Sequence, residues 1–275
     1  MKVFISIDME GISGVASWRE RQEVYSKHME ADLLAAIHRA FDGGAKEIVV
    51  ADSHSTGMNI NPEVLPKNVQ LVRGYPRVYY MMQGLTSDFD VVFFIGYHAP
   101  AGFIHGQMDH TFSSYTIYEV RVNGEVFGEA ELNALYASYL GVPVGLITGD
   151  RALFEFSRPK FPDSVEFVVT KEGLSRYAAK LYPLEQVRKE IRDKAKTAVM
   201  KKHELFSRSP DQDGNYEVEI DVIDTLKADF IAIMPGIERV SGRTLRYYAK
   251  NPAEVLRVVH SAAIMGAYTR FLVNS

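Results

Sequence analysis

The 275-residue sequence has no cysteine, which excludes disulfides, thiolate metal ligands and a cysteine nucleophile. It has no apolar run near the ~18 residues that would cross a bilayer, so no membrane partner is expected. The N-terminal run from Met1 to Ile7 is too short for the core of a secretory leader and meets Asp8 at once. It reads instead as the first strand of a cytoplasmic protein. Basic charge is not in excess: Lys+Arg 31 against Asp+Glu 35 gives a net −4, which argues against a nucleic-acid partner. Gly11-Ile12-Ser13-Gly14 has the flavour of a phosphate loop but lacks both the G-x-G-x-x-G spacing and a Gly-Lys-Ser/Thr. There is no G-x-S-x-G nucleophile elbow. Six Gln and eight Asn beside plentiful Lys and Glu lean towards a heat-tolerant source. What is present, 47% apolar and 24% charged residues, excludes global disorder and suffices for one large core.

Short runs rich in Val, Ile and Phe recur at Lys2–Ile7, Glu47–Ala51, Val69–Arg73, Val91–Ile95, Val144–Ile147, Val165–Val169 and Phe230–Met234. They are too short for stable helices and too apolar for half-exposed strands, so they predict buried strands of a mostly parallel sheet. Between them, 31–41, 129–140 and 184–200 carry helical periodicity. Asn251-Pro252-Ala253-Glu254 supplies an N-cap, a proline at the first helical position and an N3 Glu for a helix to Tyr268. This alternation defines an α/β fold. Asn123-Gly124, flanked by period-2 runs over 115–127, predicts an antiparallel hairpin inserted in that body. The chain reads as a single catalytic α/β unit, and any division into two lobes is expected in the polar segment 202–216.

Open α/β sheets hold ligands beyond the carboxyl ends of their strands. Asp8-Met9-Glu10 follows the first predicted strand, Asp52-Ser53-His54 the second, and Gly96-Tyr97-His98 the run 91–95. A helix starting near Gly128 puts Glu129, Leu132, Asn133 and Tyr136 on one face, with Glu129 inward or at the rim. Each residue alone has a plainer reading. Asp8 and Glu10 are ordinary turn acids, His54 a hydrogen-bonded loop residue, His98 a core histidine and Glu129 a partner of the helix dipole. Together they are an oxygen and nitrogen donor set suited to Zn²⁺, Mn²⁺ or Co²⁺. Asp8, Glu10, His54, His98 and Glu129 exceed the needs of one tetrahedral zinc and suit two ions ~3.5–4 Å apart, with Asp8 as the bridge and a bridging hydroxide completing the charge. The loop 99–111, rich in small residues, adds His105, read as a surface histidine, and His110, open between oxyanion donor, proton shuttle and nucleophile. His28, His38, His203 and His260 read as structural or solvated, and 188–196 as a solvated charged face.

The strings Ser6-Ile7-Asp8-Met9-Glu10-Gly11-Ile12-Ser13-Gly14, Asp52-Ser53-His54-Ser55, Gly96-Tyr97-His98-Ala99, Met108-Asp109-His110-Thr111 and Gly128-Glu129 with Leu132-Asn133-Ala134 occur in that order. With them the chain resembles the zinc-dependent D-aminopeptidase family typified by the dipeptide-transport-operon enzyme of bacilli. The resemblance extends to Thr148-Gly149-Asp150, Lys171 with Ser175-Arg176, and Met234-Pro235-Gly236. It implies a binuclear zinc centre on Asp8, Glu10, His54, His98 and Glu129, and a catalytic His110 proposed as a nucleophile. Asp109-His110-Thr111 stands where the family is associated with Ser-His-Ser. The resemblance also implies a homodecamer of two stacked pentameric rings whose sites face an inner chamber.

The resulting expectation is an aminopeptidase acting on short peptides with N-terminal D-residues through two divalent ions, zinc foremost, and a metal-bridged hydroxide. Asp52, Asp109 and Asn133 are expected to contact substrate, the two acids through its free α-amine. Two rivals stand beside it: a binuclear hydrolase of another amide or a phosphoester, and a non-enzymatic peptide-binding or assembly protein.

Overall fold

The computed structural model describes residues 1–205 and 214–273. In chain order it contains β1 (Lys2–Ile7), α1 (Gln22–Asp42), β2 (Glu47–Asp52), β3 (Val69–Val72), β4 (Val91–Tyr97), β5 (Ile117–Val122), β6 (Glu125–Val126), α2 (Glu129–Tyr139), β7 (Val144–Asp150), α3 (Arg151–Ser157), β8 (Glu166–Ser175), β9 (Ala178–Leu181), α4 (Leu184–Met200), β10 (Tyr216–Val222), α5 (Thr225–Ile231), β11 (Glu238–Arg239), β12 (Thr244–Ala249), α6 (Pro252–Tyr268) and α7 (Arg270–Val273).

The apolar runs pair as a seven-stranded sheet in the order β3-β2-β1-β4-β7-β8-β9. It is parallel from β3 to β8, and β9 turns back antiparallel. Both faces are covered, which explains the near-continuous apolar runs. Val3, Ile5 and Ile7 of β1, with Phe93 and Ile95 of β4, face Leu33 and Ile37 of α1 and Ile191 and Val199 of α4. Phe4, Val92 and Phe94 face the opposite layer, built from α2, α6 and a second sheet. Each fully buried Phe or Ile there is worth about 1.5–3 kcal/mol of transfer free energy.

That second sheet is antiparallel, in the order β11-β12-β10-β5-β6, and it contains the expected hairpin. The hairpin is real, with Asn123 and Gly124 both at positive φ (52° and 81°) as a type I′ turn requires. It forms the β5–β6 edge of a separate sheet, not an addition to the parallel one. Its partner β10 alternates buried and half-exposed residues along Tyr216–Val222, the period-2 pattern of a strand with one covered face. One correction concerns Phe230–Met234, expected as a strand. The segment closes α5, whose first turn is capped by the Asp224 carboxylate accepting from the Lys227 N–H at 3.1 Å. A five-residue apolar run does not separate strand from buried helix by itself. Another is Arg188, expected in a solvated face: its Nε donates to the buried Asp32 at 3.0 Å, locking α4 to α1. Of the expected lobe boundary at 202–216, residues 206–213 lie outside the described ones. No helix among the described residues is long and apolar enough to cross a membrane.

Two glycines bring the loop after β1 against β4. A Cβ on Gly11 would lie 1.7 Å from the Tyr97 carbonyl oxygen, and one on Gly96, whose φ is +74°, would lie 2.3 Å from the Asp8 carbonyl oxygen. Only bare backbone allows this approach, and it sets the ends of β1 and β4 side by side.

Candidate metal centre and active site

Asp8 and Glu10 leave the end of β1, His54 follows β2, His98 follows β4, and Glu129 opens α2. Because β1 lies between β2 and β4, the three strand ends converge. Glu129 joins them because its neighbour Glu131 takes over the capping of α2, accepting from the Gly128 N–H at 2.9 Å and from the Ser157 hydroxyl at 2.6 Å. His110 comes from the long loop after β4, in which His105, Met108 and Phe112 all adopt positive φ. Such strained backbone is characteristic of functional loops.

The five expected ligands meet. The carboxylate of Asp8 presents Oδ1 to His54 Nδ1 and Oδ2 to His98 Nε2, each at 3.4 Å. Glu10 Oε2 lies 3.2 Å from His54 Nδ1, and Glu129 Oε1 lies 3.5 Å from His98 Nε2. His110 Nε2 is 3.7 Å from Glu129 Oε1, and its ring stacks on that of His98 at 4.2 Å. Donor atoms of Asp8, Glu10 and His98 fall within 4.8 Å of one another, as do those of His98, His110 and Glu129. Two ligands ~2.05 Å from one tetrahedral ion stand roughly 3.3 Å apart, so these separations have room for a cation between the pairs.

The chemistry of the donors fits the same group. Asp8, Glu10, His98 and Glu129 are all buried, and His98 Nε2 has no hydrogen-bond partner. The Nδ1–H of His98 donates to the Ala99 carbonyl at 2.9 Å, which fixes the ring and leaves Nε2 aimed between Asp8 and Glu129. His110 repeats the device, donating from Nδ1 to the Met108 carbonyl at 2.9 Å.

Electrostatics show how strongly the cluster calls for positive charge. Burial raises the pKa of Asp8, and the adjacent Glu10 raises it further. Burial also opposes ionisation of Glu10, yet the charge of His54 holds its carboxyl well below the ordinary range. Glu129 is held low against burial by His98. The imidazoles answer in kind. Burial would lower His54, but Glu10 and Asp8 push it up to about 10, and Glu129 and Asp8 raise His98 well above its usual value. Protein groups alone thus balance three buried carboxylates with protons on imidazole, charge that divalent cations can supply instead.

The cluster floors a cavity of about 320 Å³ that is also lined by Trp18, Tyr25, Tyr80, Phe112, Tyr115 and Arg270. None of these lining residues is marked as a site residue by the sequence, because they come from separate loops and helices that only the fold brings together. The indole N–H of Trp18 donates to Glu10 Oε1 at 2.6 Å, and its ring meets that of His110 edge-on at 5.3 Å. A lone Trp placed eight residues past Glu10 was the one available hint.

Three expected substrate contacts do not reach this cavity. Both oxygens of Asp52 are taken up by the 59–60 segment, accepting from the N–H and amide of Asn59 and the N–H of Ile60 at 2.6–2.9 Å. Asp52 therefore shapes the loop that presents His54. Asp109 accepts from the Gly102 N–H at 2.7 Å and faces Arg176 Nε at 3.3 Å. Asn133 donates to the Tyr97 hydroxyl at 2.9 Å within the core. Each sits near the site in sequence, but its polar atoms are directed into the scaffold. His105 lies at the surface against the Leu174 carbonyl.

Behind the cavity wall, His260 stacks on Tyr80 at 4.6 Å, and burial with the nearby Arg77 pulls its imidazole down to about 4. Unfolded histidine takes up its proton near 6.5, the native residue only near 4, so this stability is lost as pH falls from 6.5 to 4. His260→Phe keeps a stacking ring and should flatten that part of the curve by at most about 3 kcal/mol. Urea unfolding between pH 4 and 7 measures it, and parallel curves for the two proteins would remove His260 as the cause.

A parallel sheet that gathers carboxylates and imidazoles beyond its strand ends, under a wall of aromatic rings, has the architecture of a metallohydrolase centre. Residues 1–261 match the D-aminopeptidase family, and the chain belongs to that family of peptidases. It is 30% identical over 269 residues to the D-aminopeptidase of Bacillus subtilis (strain 168), covering 94% of this chain and 95% of that one. Its structure superposes with a TM-score of 0.91 on DppA from Bacillus subtilis, described as a Zn-dependent D-aminopeptidase and a self-compartmentalizing protease. The two are 27% identical, and the match covers 97% of this chain and 98% of that one.

Proposed function

We propose that this chain is a cytoplasmic aminopeptidase that removes N-terminal residues, D-residues first, from short peptides, using two zinc ions and His110. The observation that carries the reading is the Asp8 carboxylate, with one oxygen turned to His54 and the other to His98. That supports Asp8 as the residue that would be shared between a Glu10–His54 half and a His98–Glu129 half. The ions, when bound, polarise the scissile carbonyl and lower the pKa of water.

The chain's own residues do the rest. Trp18 and His54 fix the two oxygens of Glu10, and the Ala99 carbonyl fixes the ring of His98. With its Nδ1–H committed to Met108, His110 has its Nε2 lone pair available at the cavity. It takes the proton from the attacking water and returns it to the leaving amine nitrogen, so no net proton is gained or lost. Trp18, Tyr25, Tyr80 and Phe112 give the cavity an aromatic wall beside these groups.

The chain acts as one catalytic unit that assembles into a homo-oligomer, a decamer on the resemblance. Exposed Ile104, Leu174 and Tyr177, beside the loop carrying His110, support an interface there. The test is elemental analysis of protein purified without chelator or polyhistidine tag, followed by assay on D- and L-aminoacyl dipeptides and a phosphoester. About two zinc ions per chain and preference for the D-aminoacyl substrates are expected. Absence of stoichiometric metal after zinc, manganese and cobalt are offered would return the chain to a binding or assembly role. Phosphoester turnover would move it to the other hydrolase class.

A further inference from the structure

Lys171 of β8 is fully enclosed, and a buried ammonium is costly unless it is compensated. Among the described residues no carboxylate forms an ion pair with it. Its three donors meet three backbone carbonyls instead: Glu10 at 2.5 Å, Ile12 at 3.0 Å and Val15 at 2.5 Å. That count saturates an ammonium. The neighbouring Thr170, also buried, donates its hydroxyl to the Gly11 carbonyl at 2.6 Å.

Successive strand residues normally point to opposite faces, so one loop should not receive both side chains. A bulge explains it. Gly149 pairs with Val169 and Asp150 with Lys171, which leaves Thr170 as an extra residue in β8, and bulges re-aim side chains next to active sites. The other side of the loop is held as well. The Gly11 N–H donates to the Gly96 carbonyl at 2.8 Å, and the Ser13 N–H to Asp32 at 2.7 Å. With its backbone fixed on both sides, the segment has little freedom left in where it presents Glu10.

We infer that Thr170 and Lys171 are positioning residues for the metal centre, clasping the carbonyls of residues 10–15 so that the Glu10 carboxylate stands against His54. The inference rests on the two-ion reading above. Ligand-orienting groups of this kind are worth roughly 10–100-fold in metal affinity. A clasp serving the fold alone would change stability and leave affinity untouched.

The experiment is competition between full-length, metal-stripped protein and a chromophoric chelator for Zn²⁺. Wild type is compared with Thr170→Val, Thr170→Ser and Lys171→Met, and the Tm of each stripped protein is recorded alongside. One ion should bind about 10–100-fold more weakly in Thr170→Val and Lys171→Met, while the other shifts less than about threefold and Thr170→Ser stays near wild type. Both ions bound with wild-type affinity in Thr170→Val, whatever its Tm, would overturn the inference while leaving the two-ion reading intact. If Lys171→Met does not fold, the valine and serine pair at 170 carries the test. Wild type that takes up no Zn²⁺ would overturn the two-ion reading and the inference with it.

Discussion

Replacement of His98 by alanine should cost at least one bound ion and lower kcat/KM by on the order of 10³-fold or more. His98 is 1% exposed, and its Nε2 has no hydrogen-bond partner while standing between the carboxylates of Asp8 and Glu129. A core histidine needs a partner for that atom, because an unsatisfied buried polar group costs about 1–3 kcal/mol. A metal ligand needs the atom free. Truncation also leaves Asp8 and Glu129 buried beside Glu10 without the imidazole that balances them, so the stripped variant should be less stable than stripped wild type. Elemental analysis and assay with added zinc read the first effect directly. Full metal content with retained activity would return His98 to the core.

Replacement of His110 by alanine should separate chemistry from metal binding. The expected loss in kcat is about 10²–10⁴-fold, the usual range for a general acid–base group, with metal content unchanged. The ring is held by stacking on His98 and by the edge of Trp18, so its Nε2 is positioned without being enclosed. The competing outcome is a parallel fall in metal content. Its donor atom lies close enough to those of His98 and Glu129 to share an ion, and such a fall would make His110 a ligand. A rapid burst of released amine product ahead of steady turnover would identify the nucleophilic variant, in which an acyl group forms on the imidazole.

Much of the site could be read in the sequence, for a physical reason. Buried parallel strands are continuous apolar runs, and the polar residue that ends such a run marks the sheet edge where ligands gather. That rule points to Asp8, His54 and His98, and the start of α2 to Glu129, the residues that the fold brings together. What could not be read depends on how distant backbone atoms are satisfied. Asp52 looks like a site residue until the amides of Asn59 and Ile60 take its oxygens. The roles of Thr170 and Lys171 follow from one extra residue in β8, which no local pattern announces. Phe230–Met234 failed for a different reason, since five apolar residues fit a capped helix as well as a strand. The second sheet is legible only in its hairpin, because β5 pairs with β10 across about a hundred residues of chain.

The indole of Trp18 has a further consequence. It is the only tryptophan in the chain, its N–H is bonded to Glu10, and its ring lies against His110 and under the guanidinium of Arg176. Light absorbed selectively by tryptophan is therefore emitted from a single known position at the edge of the cluster. Its colour and yield will follow changes at Glu10 and what enters the cavity, so the chain carries its own optical reporter of the site and needs no label.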